Sequence, residues 1–196
     1  IDKLVDIGTF QIGLTGGEPT TRDDLAQLVR YIVSKNVACN LTTNGYRVPE
    51  ELIIRLKEAG LTQVQISLDS YKKEVHERYR TKGSFDKALK TAKLFKKHGF
   101  IVGVDTVISN NNIDDIEKFI DFLEENSFDG LTIIKLKQGY LDLETFKQQV
   151  PEYGKYANLI DKICKRNNKL EVTIDCSSVS NLCNTLTLEE QNKIHS

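Results

Sequence analysis

The chain has 196 residues, 39% of them hydrophobic, and its 27 basic and 28 acidic side chains leave a formal net charge of −1. That length can bury one sizeable core, and so near a charge balance offers no electrostatic footprint for nucleic acid or an anionic membrane. No apolar run reaches membrane-span length, no signal-peptide pattern is present, and four scattered cysteines make no disulfide framework, so a soluble cytoplasmic protein without nucleic-acid or membrane partners is expected.

A first strand is expected over residues 9–14, where Phe10, Ile12 and Leu14 alternate with smaller or polar neighbours. It runs into Thr15-Gly16-Gly17-Glu18-Pro19 and then a helix over 23–35 that carries Leu25, Leu28, Val29 and Ile32 at helical spacing. Two adjacent glycines at such a turn let the backbone approach a ligand with no Cβ in the way. Glu18 adds an acceptor for a cation such as an amino acid's ammonium group, and Pro19 stiffens the exit. The second strand, 38–42, ends in Thr43-Asn44-Gly45 before a helix over 49–59, and the third, 63–68, ends in Ser67-Leu68-Asp69-Ser70.

Beyond the third strand come Arg80, with Arg78 and Lys82 as rival cations, and Gly83-Ser84-Phe85-Asp86, which opens a helix over 85–97 with Ser84 as its N-cap. Gly99 stops that helix and His98 puts a cation in its last turn, while His76 reads as a surface residue and His195 has no role. On the fourth strand, 101–107, Asp105 and Val107 share one face and Val104, Thr106 and Ile108 the other, with the inward face unassigned. A helix over 113–125, a strand over 130–135 ending near Lys137, helices over 143–149 and 153–167 and a strand over 170–174 complete the order. Strands alternating with helices through right-handed crossovers give an α/β protein with a parallel sheet, whose ligands sit at the carboxyl ends of the strands.

The ordered series Gly-Gly-Glu-Pro, Thr-Asn-Gly, Ser-Leu-Asp, Arg80 and Gly-Ser-Phe-Asp, spread over residues 5–135, resembles the radical S-adenosylmethionine superfamily. The resemblance implies a partial parallel (β/α)6 TIM-like barrel whose first unit is missing from these residues, with a core over 1–139. Residues 140–196 would then form a helical segment, an extra strand and a truncated C-terminal extension. It further implies that the backbone around Gly16, Gly17 and Glu18 receives the methionine ammonium of the cofactor. Thr43 and Asn44 supply polar groups beside it, Ser67 and Asp69 face its carboxylate and ribose, Arg80 pairs with the carboxylate, and the strand of Val107 walls the adenine.

Relatives hold a 4Fe–4S cluster on a Cys-x3-Cys-x2-Cys loop that does not occur here, so its ligands are expected in a missing N-terminal segment. Cys176 and Cys183 are candidate ligands of an auxiliary cluster; Cys39 and Cys164 read as buried small hydrophobes. The implied reaction is reductive cleavage of S-adenosylmethionine to a 5′-deoxyadenosyl radical that abstracts hydrogen from a peptide or protein substrate, with a flavodoxin or ferredoxin as electron donor. Alternatives are a small-molecule enzyme of cofactor biosynthesis, such as a pterin-forming cyclase, and a cluster-free binding module. A cluster-free aldolase-like barrel would need Lys135 as Schiff-base nucleophile.

Overall fold

A computed structural model describes residues 1–139 and 141–175. Cys176, Cys183 and His195 lie outside the described residues. Six strands form one sheet in chain order, all parallel: β1 (Gln11–Leu14), β2 (Ala38–Thr43), β3 (Gln63–Ser67), β4 (Ile101–Ile108), β5 (Gly130–Lys135) and β6 (Glu171–Ile174). The strand expected within the C-terminal extension is β6, and it adds directly to β5.

Helices connect the strands as crossovers: α2 (Leu25–Ser34), α3 (Glu50–Glu58), α4 (Lys73–His76), α5 (Ser84–Lys97), α6 (Ile116–Glu125), α7 (Leu143–Gln149) and α8 (Tyr153–Lys165), preceded by a short α1 (Asp2–Asp6) that the sequence reading did not anticipate. Each long helix turns its apolar stripe to the sheet. Leu25, Val29 and Ile32 of α2 are buried, as are Leu52, Ile53 and Leu56 of α3 and Ile116, Phe119, Ile120 and Leu123 of α6.

The parallel register fixes which strand residues meet those helices. Thr43, Ile66, Val104, Leu131 and Val172 form one row across the sheet, and Leu41, Val64 and Val102 the row of like orientation two residues earlier. Leu41, Val64, Ile66, Val102, Val104, Leu131 and Ile133 are all buried in the helix-packed core. The alternate residues line the inner face: Thr42, Gln65, Gly103, Gly130 and Glu171 in one row, then Ser67, Asp105, Thr132 and Thr173 in the next. A barrel interior is ordinarily filled with bulky apolar side chains, so this polar inner face marks a surface left open to ligand. The inward face of β4 is thereby settled: Asp105 and Val107 look inward, while Val104, Thr106 and Ile108 are buried against the helices. Lys135 lies on the helix-packed face of β5, level with Ile108, and is therefore not directed into the interior as a Schiff-base lysine would be.

One local expectation is corrected. Ser84 does not cap α5; Gly83 does, at φ +79, and Ser84 is the first helical residue, buried with no partner for its hydroxyl. The left-handed conformation that turns the chain into α5 is one glycine tolerates and a Cβ-bearing residue resists. His98 ends α5 as expected, and its Nε2 lies 2.7 Å from the Glu50 carboxylate on α3.

Candidate active site

Among the described residues the cofactor candidates sit at the carboxyl ends of the strands, most of them in two hydrogen-bonded corners. The first joins β1 to β2. Glu18 begins the short 3-10 turn Pro19–Thr21, and its Oε1 accepts from the Thr20 N–H (3.1 Å), the Thr20 hydroxyl (2.6 Å) and the Thr43 hydroxyl (2.6 Å), while Oε2 accepts the Asn44 N–H at 2.8 Å. With one oxygen saturated and the other engaged, Glu18 braces the loop rather than offering itself to a cation, and Pro19 is buried behind it. Gly16 and Gly17 are left exposed. Gly16 has φ +128, and at neither glycine would a Cβ meet any atom within 4 Å, so the turn presents bare backbone to open space.

Thr43 is 1% exposed and wholly occupied: its hydroxyl donates to Glu18 and accepts the Gly45 N–H at 3.1 Å. It is a strut of the corner, and the threonine of β2 on the inner face is Thr42, which sequence reading passed over. The Asn44 side chain closes a turn by accepting the Tyr46 N–H at 2.8 Å. Gly45 is required where it stands: at φ +68 a Cβ would come 3.1 Å from the Ala88 Cα of α5, and its carbonyl accepts the Thr91 hydroxyl at 2.8 Å.

The second corner joins β3 to β4. Arg80 donates from Nε to Asp69 Oδ2 (2.5 Å) and from Nη2 to Asp69 Oδ1 (3.3 Å), a fork that leaves its Nη1 donors uncommitted to Asp69. The same carboxylate accepts the Val107 N–H at 3.1 Å. Asp69 thus meets Arg80 and the backbone of β4. The rival Arg78 is exposed and donates to Asn111. Asn112, which the sequence did not single out, ties the corner together: its amide nitrogen donates to the Asp69 and Val107 carbonyls (2.8 and 2.9 Å) and its oxygen accepts the Ser109 N–H (2.8 Å).

His76 contradicts its surface reading. It is 0% exposed, its Nδ1 accepts the Asp69 N–H at 3.2 Å, and burial above all pushes its pKa down to about 4. The ring packs against Phe85, a tertiary contact that no local pattern announces.

Asp69, Arg80 and Val107 line a cavity of about 300 Å³ together with Ser109, Leu136 and Leu141. Its mostly apolar wall with one charged fork at the edge suits a flat heteroaromatic group attached to a carboxylate-bearing chain. Ser67 lies between the two corners, level with Asp105 on the inner face. Burial raises the Asp105 pKa, against the opposing pull of hydrogen bonds from Thr42 and Thr132. Its Oδ2 is 3.2 Å from the Thr42 hydroxyl.

These features fit S-adenosylmethionine: open glycine backbone for the ammonium, a half-used guanidinium for the carboxylate, and an apolar cavity for the adenine. They do not fit an iron–sulfur cluster. Among the described residues no three His, Cys, Asp or Glu side chains gather as metal ligands. Cys39 is buried in β2 with its thiol pushed up to about 11, and Cys164 is exposed on α8.

Comparison with known proteins bears on the family and the fold. Residues 1–123 match the family described as the Radical SAM superfamily. The chain is 38% identical over 126 residues to Fe-coproporphyrin III synthase of Methanosarcina barkeri, covering 64% of this chain and 31% of that protein. It is 35% identical over 120 residues to mycofactocin maturase MftC of Mycolicibacterium smegmatis, covering 61% and 31%. The chain therefore spans 31% of the length of each of these relatives. SuiB of Streptococcus suis bound to S-adenosylmethionine superposes with a TM-score of 0.73 at 18% identity, over 96% of this chain and 45% of that one. Its complex with precursor peptide SuiA gives 0.71 at the same identity, over 96% and 43%. That likeness establishes the fold, a curled half-barrel of six parallel strands.

Proposed function

The chain belongs to the radical SAM superfamily, whose members use S-adenosylmethionine and a 4Fe–4S cluster, and from that premise we propose that it is the cofactor-binding core of an enzyme acting on a peptide or protein. The chemistry the cofactor supplies when bound beside a reduced cluster is a 5′-deoxyadenosyl radical for hydrogen abstraction. The chain's own residues bind and orient. The Gly16–Gly17 backbone takes the ammonium, Arg80 and Ser67 take the carboxylate, and Val107 with Leu136 and Leu141 encloses the adenine and excludes water. Glu18, Thr43, Asn44 and Asp69 hold these groups in place. No acid–base pair is needed for homolysis, and none is assembled at the rim. The cluster ligands belong to residues beyond those described, as does any auxiliary-cluster role of Cys176 and Cys183. A core over 1–139 with an extension over 140–196 is part of the same reading, as are a flavodoxin or ferredoxin donor and a reducing, cytoplasmic setting. No described helix is long and apolar enough to cross a membrane.

The observation that carries the cofactor assignment is the Arg80 fork, braced by Asp69 at the mouth of an apolar cavity on the same rim as an open glycine pair. For a peptide substrate the support is the relationship to a maturase together with the polar inner face beside the rim, where Thr42, Ser67, Asp105 and Thr132 offer donors and acceptors to peptide groups. The 38% identity to Fe-coproporphyrin III synthase favours a second reading, a porphyrin substrate.

The test is anaerobic reconstitution of the intact protein with iron and sulfide, followed by assay for S-adenosylmethionine-dependent 5′-deoxyadenosine. Product is expected; none from a loaded, reduced protein would overturn the assignment. Stimulation of that product by Fe-coproporphyrin III and not by precursor peptides would move the substrate to the second reading.

A further inference from the structure

We propose that His76 is a positioning residue for the cofactor-binding rim: its Nδ1 accepts the Asp69 N–H and so holds the Asp69 carboxylate, and Arg80 through it, where a ligand carboxylate is received. The inference rests on the S-adenosylmethionine reading above.

β3 ends at Ser67, and the Leu68 N–H still reaches the Asp105 carbonyl of β4 at 3.1 Å. The next buried donor, the Asp69 N–H, has left the ladder and would be orphaned without His76. The ring comes from α4, a single turn placed between the strand end and Arg80, and it packs edge-on against Phe85 with centroids 5.9 Å apart. Asp69 is thereby gripped on every side: its N–H by His76, its carbonyl by Asn112, and its carboxylate by Arg80 and the Val107 N–H.

A ring nitrogen that accepts must be bare, so the proton sits on Nε2, and Nε2 has no hydrogen-bond partner. An apolar side chain could fill the same space without burying that orphan, which leaves the Nδ1 acceptor as the reason for a histidine here. The charged groups facing the ring are Asp69, whose Oδ2 is 4.0 Å away, Arg80 and Glu77. Burial, with Arg80, outweighs the two carboxylates and keeps the ring neutral, so the acceptor persists at ordinary pH.

The experiment measures S-adenosylmethionine affinity by equilibrium dialysis on the reconstituted intact protein for wild type, His76→Leu, His76→Asn and, as a packing control, Phe85→Leu. Asn offers Oδ1 where the ring offers Nδ1. The expected result is an affinity about tenfold weaker in His76→Leu, since an unpaired buried N–H at Asp69 loosens the Arg80 fork. His76→Asn should recover most of the loss, and Phe85→Leu should lower thermal stability without it. Equal affinity in wild type and His76→Leu would overturn the inference and leave the cofactor assignment standing, whereas a wild type that does not bind would overturn both. If the variants do not fold, ring 15N shifts of the wild type decide: a bare Nδ1 and protonated Nε2 support the role, and a protonated Nδ1 ends it.

Discussion

The β1–β2 corner and the β3–β4 corner of the rim each rest on one carboxylate, but the two are paired differently. Glu18 gathers neutral donors only, two hydroxyls and two backbone N–H groups, and the glycines beside it stay uncovered. Asp69 is paired with a cation and the backbone of the next strand, and the cation carries donors to spare. The neutral brace presents backbone, and the charged brace presents a guanidinium. On the proposed reading, the acidic residue of the motif in both corners acts by fixing the group that would meet ligand.

That contrast is broken most severely at Asp69. Asp69→Ala should cost about 3 kcal/mol in urea unfolding, because it strands a partly buried guanidinium and the Val107 N–H at once. Cofactor affinity should fall with it. Glu18→Gln should cost about 1 kcal/mol in the same measurement, since the amide keeps one accepting oxygen but turns an NH2 group towards either the Asn44 N–H or the hydroxyl donors. Equal losses at the two positions would erase the distinction between the corners.

Stability should also depend on pH. The folded state holds His76 near 4 against an ordinary 6.5, so between those values the unfolded chain binds the extra proton and stability falls as pH is lowered through the window. Asp105 acts with the opposite sign: its raised pKa keeps a proton on the folded state that the unfolded chain has released, so its contribution declines as pH rises. Chemical denaturation of wild type and His76→Asn at a series of pH values should show the first slope in wild type and its removal in the variant.

The difference between what could and could not be read in the sequence follows the same division. The six strands and the apolar stripes of α2, α3 and α6 were legible because periodicity alone determines which face is buried. The rim residues were legible as a motif order, yet their division of labour was not. Thr43 and Thr42 differ by one position, and only the register across β2 and β3 puts one against the helices and the other on the inner face. The Gly83 cap was obscured by a neighbouring serine that reads as the better cap. His76 and Asn112 are long-range partners of a strand end, and their roles arise from residues brought together only by folding.

A structure of the intact protein with S-adenosylmethionine bound tests the central claim most directly. The account predicts the cofactor carboxylate on Arg80 and Ser67, its ammonium on the Gly16–Gly17 backbone and its adenine against Val107 and Leu136, with Glu18 and Asp69 keeping their present partners. A cofactor seated away from this rim, or bound by the Glu18 or Asp69 carboxylates after they release those partners, would contradict it.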